Sequence, residues 1–347
     1  MPADAPPLCL VWGPPGHGVT DYGADVARAA TRRAPHLRTR TVGDLDAAMA
    51  AVHAGERVHL HATDRLLGGT LEQAADAVEA LAAICRLTLT LHDLPQPSDG
   101  TKYDRRVAAY RRFIAAAQAV AVNSEHERLL VAEHLGEAHA VHVIPLGTRT
   151  DLAPASPDAT AVSRDLIVLI AGFVYPGKGH DVALRAAAEA VARLREQGRP
   201  VGRAVVRALG AASPGHDPDV RALQARADAL GARFEITGFL TDAAFSRRLR
   251  DPGIPVAAHE HVSASRSMLD WIEAGRRALV VRSRYSDEMA QLRPGTATPF
   301  DPGDLSARLT TAWDDPGSTW LDAGRSLRPD LDDVAAAYLT WWGGPDR

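Results

Sequence analysis

Short apolar runs alternate with longer amphipathic stretches along almost the whole chain. This alternation restricts the fold to α/β, with doubly wound parallel sheets covered by helices on both faces. The first half reads as strands at 8–13, 38–42, 57–61, 86–91, 119–122 and 140–144, separated by helices at about 19–32, 44–53, 70–82, 103–117 and 125–134. The second half restarts on the apolar run 166–171 and continues with strands at 203–209, 233–236, 254–258 and 278–282. Its helices fall at about 180–197, 217–230, 241–249, 265–274, 303–314 and 331–341. The pattern stops once, over 148–164, where Pro, Ser, Thr and Asp crowd together as in a linker. With 347 residues, the chain is too long for one core. The expected organisation is a first domain at 1–150, a linker at 151–164, a second domain at 165–330 and a final helix at 331–347 that returns to the first domain. Doubly wound sheets take ligands beyond the carboxyl ends of their strands, so the loops after strands are where chemistry is expected.

Composition removes several classes of partner. A net charge of −4 offers no footprint for nucleic acid. Two cysteines, Cys9 and Cys85, sit in apolar runs and read as buried thiols rather than a disulfide framework. The first residues show no basic segment leading into an apolar one, and no stretch approaches 18 uncharged apolar residues. A cytoplasmic location is the expectation. Basic residues are almost all arginine, with only two lysines, Lys102 and Lys178. A lysine surviving that bias points to a position that needs a compact ammonium rather than a planar fork.

Three loops carry candidate chemistry. Gly13-Pro14-Pro15-Gly16-His17-Gly18-Val19-Thr20 joins a strand to a helix. It has the outline of a phosphate loop, but Val19 stands where the lysine is needed, which excludes an ATPase reading. A glycine-rich turn that lets a ligand approach a helix start and a plain tight turn both fit. In the second half, Gly172 to Asp181 follows the strongest strand and places Lys178 between Gly177 and Gly179, where an ammonium can meet a diphosphate as a point charge. The third loop, Glu260 to Gly275, opens a helix with Ser263, Ser265 and Ser267, whose hydroxyls and free backbone N–H groups suit an anion. Asp270 lies just over a turn further on.

Smaller signals are His92-Asp93, His59 and His61 at strand ends and Asn123-Ser124 before a helix, for which structural and capping roles are the plainer readings. No CxxC pair or HExxH is present and no DxD triplet directly follows a strand, so no metal site is expected. Arg105, Arg106, Arg111 and Arg112 stud one helix. Peripheral membrane contact and a solvated face both accommodate them.

Taken in order, these motifs resemble the retaining GT-B glycosyltransferases of family GT4, over nearly the whole chain. Gly16-His17-Gly18-Val19 matches the family's N-terminal glycine-rich loop and His92-Asp93 its strand-end HD pair. Val122-Asn123-Ser124, Val143 to Thr148, Gly172 to Asp181 and Gly238-Phe239-Leu240 match further family stretches. The resemblance implies two Rossmann-like domains facing across a cleft. It also implies transfer from a UDP- or GDP-linked sugar to a small-molecule, glycan or lipid acceptor hydroxyl, with retention and without a metal or other cofactor. The donor would be held by Lys178, Gly172, Gly177, Gly179, Ser263, Ser265, Ser267, Arg266 and Gly238, with Asp270 on the ribose. Gly16, His17 and Gly18 would lie on the acceptor side, with His92 near the transferred sugar. Phe173 stands where the family has an arginine, so Arg266, Arg282 or Arg284 is expected to compensate. Val262 occupies the first slot of the family's glutamate pair, and Glu260 is the expected substitute. A non-catalytic GT-B binding protein and a nucleotide-sugar epimerase of the same fold are the alternatives.

Overall fold

The computed structural model describes residues 6–136, 141–155 and 163–344. The chain forms two compact units, one running through Arg149 and resuming at Pro329, the other Thr150–Arg328. Of the expected linker, residues 156–162 lie outside the described residues. Its first residues belong to the second unit, where the Ala153 N–H donates to the Arg325 carbonyl at 2.9 Å.

Unit 1 holds β1 (Leu8–Trp12), α1 (Gly18–Arg33), β2 (Thr39–Val42), α2 (Leu45–Ala51), β3 (Arg57–Ala62) and a short α3 (Asp64–Leu67). Then come α4 (Leu71–Ile84), β4 (Arg86–Leu91), α5 (Tyr103–Ala116), β5 (Ala119–Val122), α6 (Glu125–Leu130) and β6 (Val141–Val143). The expected helix at 125–134 is α6 continued by a π-helical turn, Val131–Leu135. Its sheet is parallel, in the order β2-β1-β3-β4-β5-β6. Leu60, Leu87, Leu89, Val120 and Val122 are buried in it, as strands covered on both faces require.

Unit 2 holds β7 (Leu166–Ala171), α7 (His180–Glu196), β8 (Ala204–Leu209), α8 (Asp217–Ala229), β9 (Arg233–Ile236), α9 (Asp242–Arg248) and β10 (Ile254–Ala257). It continues with α10 (Arg266–Glu273), β11 (Ala278–Val281), α11 (Arg284–Leu292), β12 (Ala297–Phe300) and α12 (Leu305–Asp314). Its parallel order is β12-β11-β10-β7-β8-β9. The final helix α13 (Leu331–Trp342) lies in unit 1. The Tyr338 hydroxyl meets Thr90 Oγ1 at 2.8 Å, and Arg32 pairs with Asp332 at 2.6 Å. The turn leading into α13 is tight, since a Cβ on Gly147 would sit 2.8 Å from the Asp330 carbonyl carbon.

These strand orders locate the ligand sites. Each sheet reverses direction at one point, between β1 and β3 in unit 1 and between β7 and β10 in unit 2. Open α/β sheets bind ligands outside the strand ends at that switch point. The loops there are Gly13–His17 and the α3 segment in unit 1, and 172–179 and 258–265 in unit 2.

One buried cation holds the frame of unit 2. Arg276 is fully buried after α10 and donates to the carbonyls of Leu249 (3.1 Å), Asp251 (2.9 Å), Thr319 (3.3 Å) and Gly253. Its guanidinium lies 4.0 Å from the centre of the Trp320 ring. Burial pushes its pKa down to about 9. Truncating it leaves several buried carbonyls without donors. Arg276→Ala is therefore expected to lower the urea-unfolding free energy by about 3–5 kcal/mol, and Arg276→Lys, which lacks the fork, to recover less than half of it. A loss under about 1 kcal/mol contradicts this role.

Candidate functional site

In unit 2 the two switch-point loops lie against one another. The Glu260 N–H donates to the Gly177 carbonyl at 2.9 Å. Gly179, at φ +94°, has the Ala258 carbonyl oxygen 2.2 Å from where a Cβ would stand. No side chain fits there, so the second glycine of Gly-Lys-Gly is a steric requirement, while Gly177 is set by its positive φ of +83°.

Lys178 is 6% exposed. Its ammonium donates to Ser267 Oγ at 3.2 Å, lies 5.8 Å from the centre of the Tyr175 ring and passes 3.5 Å from the position of a Cβ on Gly172. Among the described residues no carboxylate comes within ion-pair distance of it. Burial pulls its pKa down to about 8, with the Asp270 carboxylate acting in the opposite direction. Nearby, His180 is pushed to about 3 by burial and then by the Lys178 charge, so it is neutral. A buried ammonium with one neutral hydrogen-bond partner is costly unless an anion joins it.

The serines supply the rest of an anion cradle. Ser265 is the N-cap of α10, accepting from the Met268 N–H at 3.4 Å. Its hydroxyl meets that of Ser267 at 3.1 Å, and its N–H donates to the Tyr285 hydroxyl at 3.0 Å. Ser263, Ser265 and Ser267 are all buried. Lys178, Ser267, Ser265 and the α10 N-terminus therefore form one connected cluster. Gly172 joins it at β7, and Gly238 (φ +74°) is linked in turn. A Cβ on Gly210 would meet the Gly172 carbonyl oxygen at 2.3 Å, and the Gly210 N–H donates to Thr237 Oγ1 at 2.9 Å.

Other expected site residues are placed differently. Arg266, a candidate for the missing arginine, donates to Asp270 Oδ1 at 2.9 Å and also grips Glu273. A helical i,i+4 pair of this kind forms wherever the spacing allows. Arg266 reaches a ligand only by leaving that pair, and Asp270 reaches a ribose only if it gives up part of it. Arg282 is likewise paired, with Asp287 at 3.0 Å and Asp301 at 2.8 Å. Glu260 is exposed and lines an open pocket with Tyr175, Gly177, His180, Asp181 and Arg226, whose walls include neither Ser265 nor Ser267.

In unit 1, His17 caps α1, its Nδ1 accepting from the Val19 N–H at 3.3 Å, and Gly16 (φ +87°) donates to Asp21 Oδ1 at 3.1 Å. A Cβ on Gly13 would lie 2.6 Å from Leu66, so the switch-point loops touch here too. His17, half-buried, is held below its ordinary pKa by burial and then by Arg65. His92 is 6% exposed, with Nε2 at 3.0 Å from His61 Nδ1 and Nδ1 at 3.2 Å from the Asn123 amide nitrogen. Both ring nitrogens are thus engaged, so a catalytic contact from His92 needs one of them to yield.

Three of the four arginines of α5 stand on a solvated face, Arg105 and Arg111 exposed and Arg112 partly so. Arg105 pairs with Glu72 and Arg112 with Asp76 and Glu79. Arg106 is buried, bonding Asp64 at 3.1 Å, Asp99 at 2.7 Å and the Asp93 carbonyl. The Tyr110 hydroxyl reaches the His92 carbonyl at 2.8 Å. These contacts hold Asp93 at φ +53°, an uncommon conformation for a residue with a side chain. Among the described residues no three His, Cys, Asp or Glu side chains converge to hold a metal ion, and no helix is long and apolar enough to cross a membrane.

No family model matches the chain, and no curated protein matches it. Solved structures do. HepE of Anabaena, in complex with UDP and glucose, aligns at a TM-score of 0.67 and 16% identity over 97% of this chain and 96% of that one. Sucrose-phosphate synthase of Thermosynechococcus elongatus aligns at 0.65 and 13% over 97% and 96%. A UDP-forming trehalose-phosphate synthase of Burkholderia xenovorans, in complex with glucose-6-phosphate, aligns at 0.63 and 11% over 93% and 85%. At these identities the likeness shows the fold, which is GT-B.

Lys178→Met, which removes the buried charge and keeps the length, is expected to raise ligand-free stability by about 1–3 kcal/mol at pH 7. Between pH 8 and 10.5 the unfolded lysine holds a proton that the folded one has lost. Wild-type stability therefore rises with pH in this window, and the gap to the variant closes. Urea titrations across that window read it; a destabilised variant, or a gap that widens, contradicts the assignment.

Proposed function

We propose that the protein is a glycosyltransferase that moves a sugar from a nucleotide diphosphate sugar to an acceptor hydroxyl. The observation that carries this is the buried Lys178 ammonium, without a carboxylate partner, at a serine-led helix start on the sheet's switch point. The GT-B fold, shared with structures solved with UDP, supports it. The bond between the anomeric carbon and the diphosphate oxygen breaks, the acceptor oxygen takes its place, and the acceptor proton is released to solvent. Lys178, Ser265, Ser267 and the N–H groups opening α10 stabilise the charge that grows on the diphosphate. Gly172, Gly177, Gly179 and Gly238 let the ligand approach the backbone, and Ser263 lines the same loop. Asp270, once released from Arg266, binds the ribose. Gly16, His17, Gly18 and His92 in unit 1 form the acceptor-side site, for a small-molecule, glycan or lipid acceptor. UDP- or GDP-linked donors, retention as in GT4 enzymes, and independence from metal and other cofactors belong to the same reading, as does a cytoplasmic location.

Phe173 and Val262, at positions where GT4 enzymes carry charge, favour a non-catalytic binding protein as the second reading. Product released from a nucleotide sugar with no acceptor marks an epimerase instead.

Lys178→Ala is expected to cut turnover at least tenfold, the loss of a charge-assisted contact of about 1.5–3 kcal/mol. Unchanged turnover removes Lys178 from the site. UDP or GDP at a hundredfold excess over Kd is expected to raise the melting temperature by about 5 °C or more, in the presence of EDTA. No shift with either at millimolar concentration counts against donor binding.

A further inference from the structure

Unit 1 contains a buried polar chain of which the transfer reading uses only one member. Glu127 is fully buried and accepts on Oε2 from the Asn123 backbone N–H at 2.6 Å and from its side-chain amide at 3.1 Å. The same amide nitrogen donates to the Leu91 carbonyl at 3.2 Å, an acceptor that cannot donate, which fixes the orientation of the amide. It faces His92 Nδ1 at 3.2 Å. An amide nitrogen accepts nothing, so a proton on His92 Nδ1 would point at N–H bonds with no acceptor; Nδ1 is the unprotonated nitrogen, sharing one of the two amide hydrogens already directed at Glu127 and Leu91. Burial drives the His92 pKa to about 3, so the ring is neutral and its one proton is on Nε2. That proton points at His61 Nδ1, 3.0 Å away, which must accept it. The proton of His61 is then on its own Nε2, a buried atom without a hydrogen-bond partner.

The rings have no freedom to rearrange cheaply. Tyr22 stands edge-on to His61 at 5.7 Å and to His92 at 6.1 Å between centroids. A Cβ on Gly23 would already lie 3.4 Å from the His61 ring, and His59 and Tyr338 close the other sides. A buried unpaired N–H costs about 1–3 kcal/mol, more than an apolar residue at position 61 would incur.

We propose that His61 is a positioning residue for His92, holding that ring in the Nε2–H tautomer so that it acts as a neutral donor and not as a base. The inference rests on the reading of unit 1 as the acceptor side. With Nδ1 against Asn123, Nε2–H is the only hydrogen His92 can offer, and without rotation of the ring a ligand oxygen at its edge shares that hydrogen with His61. His61 holds it alone when the ligand leaves.

The test uses the full chain labelled with ¹⁵N-histidine. Long-range proton–nitrogen spectra of the wild type are expected to show His92 protonated on Nε2 and bare on Nδ1. In His61→Leu the Nε2–H resonance loses its hydrogen-bonded shift. In His61→Asn, whose Oδ1 falls near the place of Nδ1 and accepts, it keeps it. In transfer assays His61→Leu is expected to lose at least tenfold in kcat with the donor KM within twofold, and His61→Asn to recover most of it. His92 found protonated on Nδ1, an unchanged resonance in His61→Leu, or equal kcat in the leucine and asparagine variants overturns the proposal. The wild-type spectrum decides even if the leucine variant fails to fold. A melting temperature indifferent to UDP and GDP would instead sink the donor reading and leave the tautomer assignment standing.

Discussion

The backbone contact between the loops after β7 and β10 sets the geometry on which unit 2 depends. Gly179 lies against Ala258 so closely that even a methyl group has no place, and Gly177 accepts the Glu260 N–H beside it. Two strand ends are thereby tied together at the point where the sheet changes direction. Lys178, between its glycines, points inward, and the start of α10 is delivered to meet it. The ammonium is poorly compensated because the fold, rather than a counter-charge, holds it there. A buried cation held this way costs stability, and the proposed donor site is what that cost would serve.

Most of the architecture was legible from periodicity. The apolar runs at 86–91 and 166–171 are β4 and β7 residue for residue, and Gly275 (φ +76°) follows the end of α10 as a helix-ending glycine should. What was missed had physical causes. β12 carries Pro299, which argues against a strand but is tolerated on a sheet edge, where β12 lies. α11 is short and opens on polar and charged residues; the stripe of Tyr285, Met289 and Leu292 and the Ser283–Ser286 capping box were the available signals.

The site was legible in part. The Lys178 loop and the serine-led helix were identifiable because glycine spacing and capping residues have local meaning, and the structure joins them through Ser267. The pairing of Arg266 with Asp270 was also readable from i,i+4 spacing, and it was the competing role that the search for a lost arginine overlooked. The polar cluster around His92 was not readable. His61, His92, Asn123 and Glu127 come from β3, β4, β5 and α6, and no local pattern says that four such residues share one pocket. Nor did four arginines in α5 reveal that Arg106 alone turns inward to clamp the His92–Asp93 turn.

Helix α13 has a consequence for how the molecule is made. Tyr338, Trp341 and Trp342 pack around His59, so unit 1 is closed by residues that follow the whole of unit 2 in the chain. During synthesis, unit 2 emerges as one uninterrupted piece, whereas the aromatic lid over the unit 1 histidines arrives last. Until it does, an imidazole-lined opening faces water. The nascent chain must therefore keep that half-finished surface from sticking to its neighbours, and a chain cut short before α13 would have one sound half and one ajar.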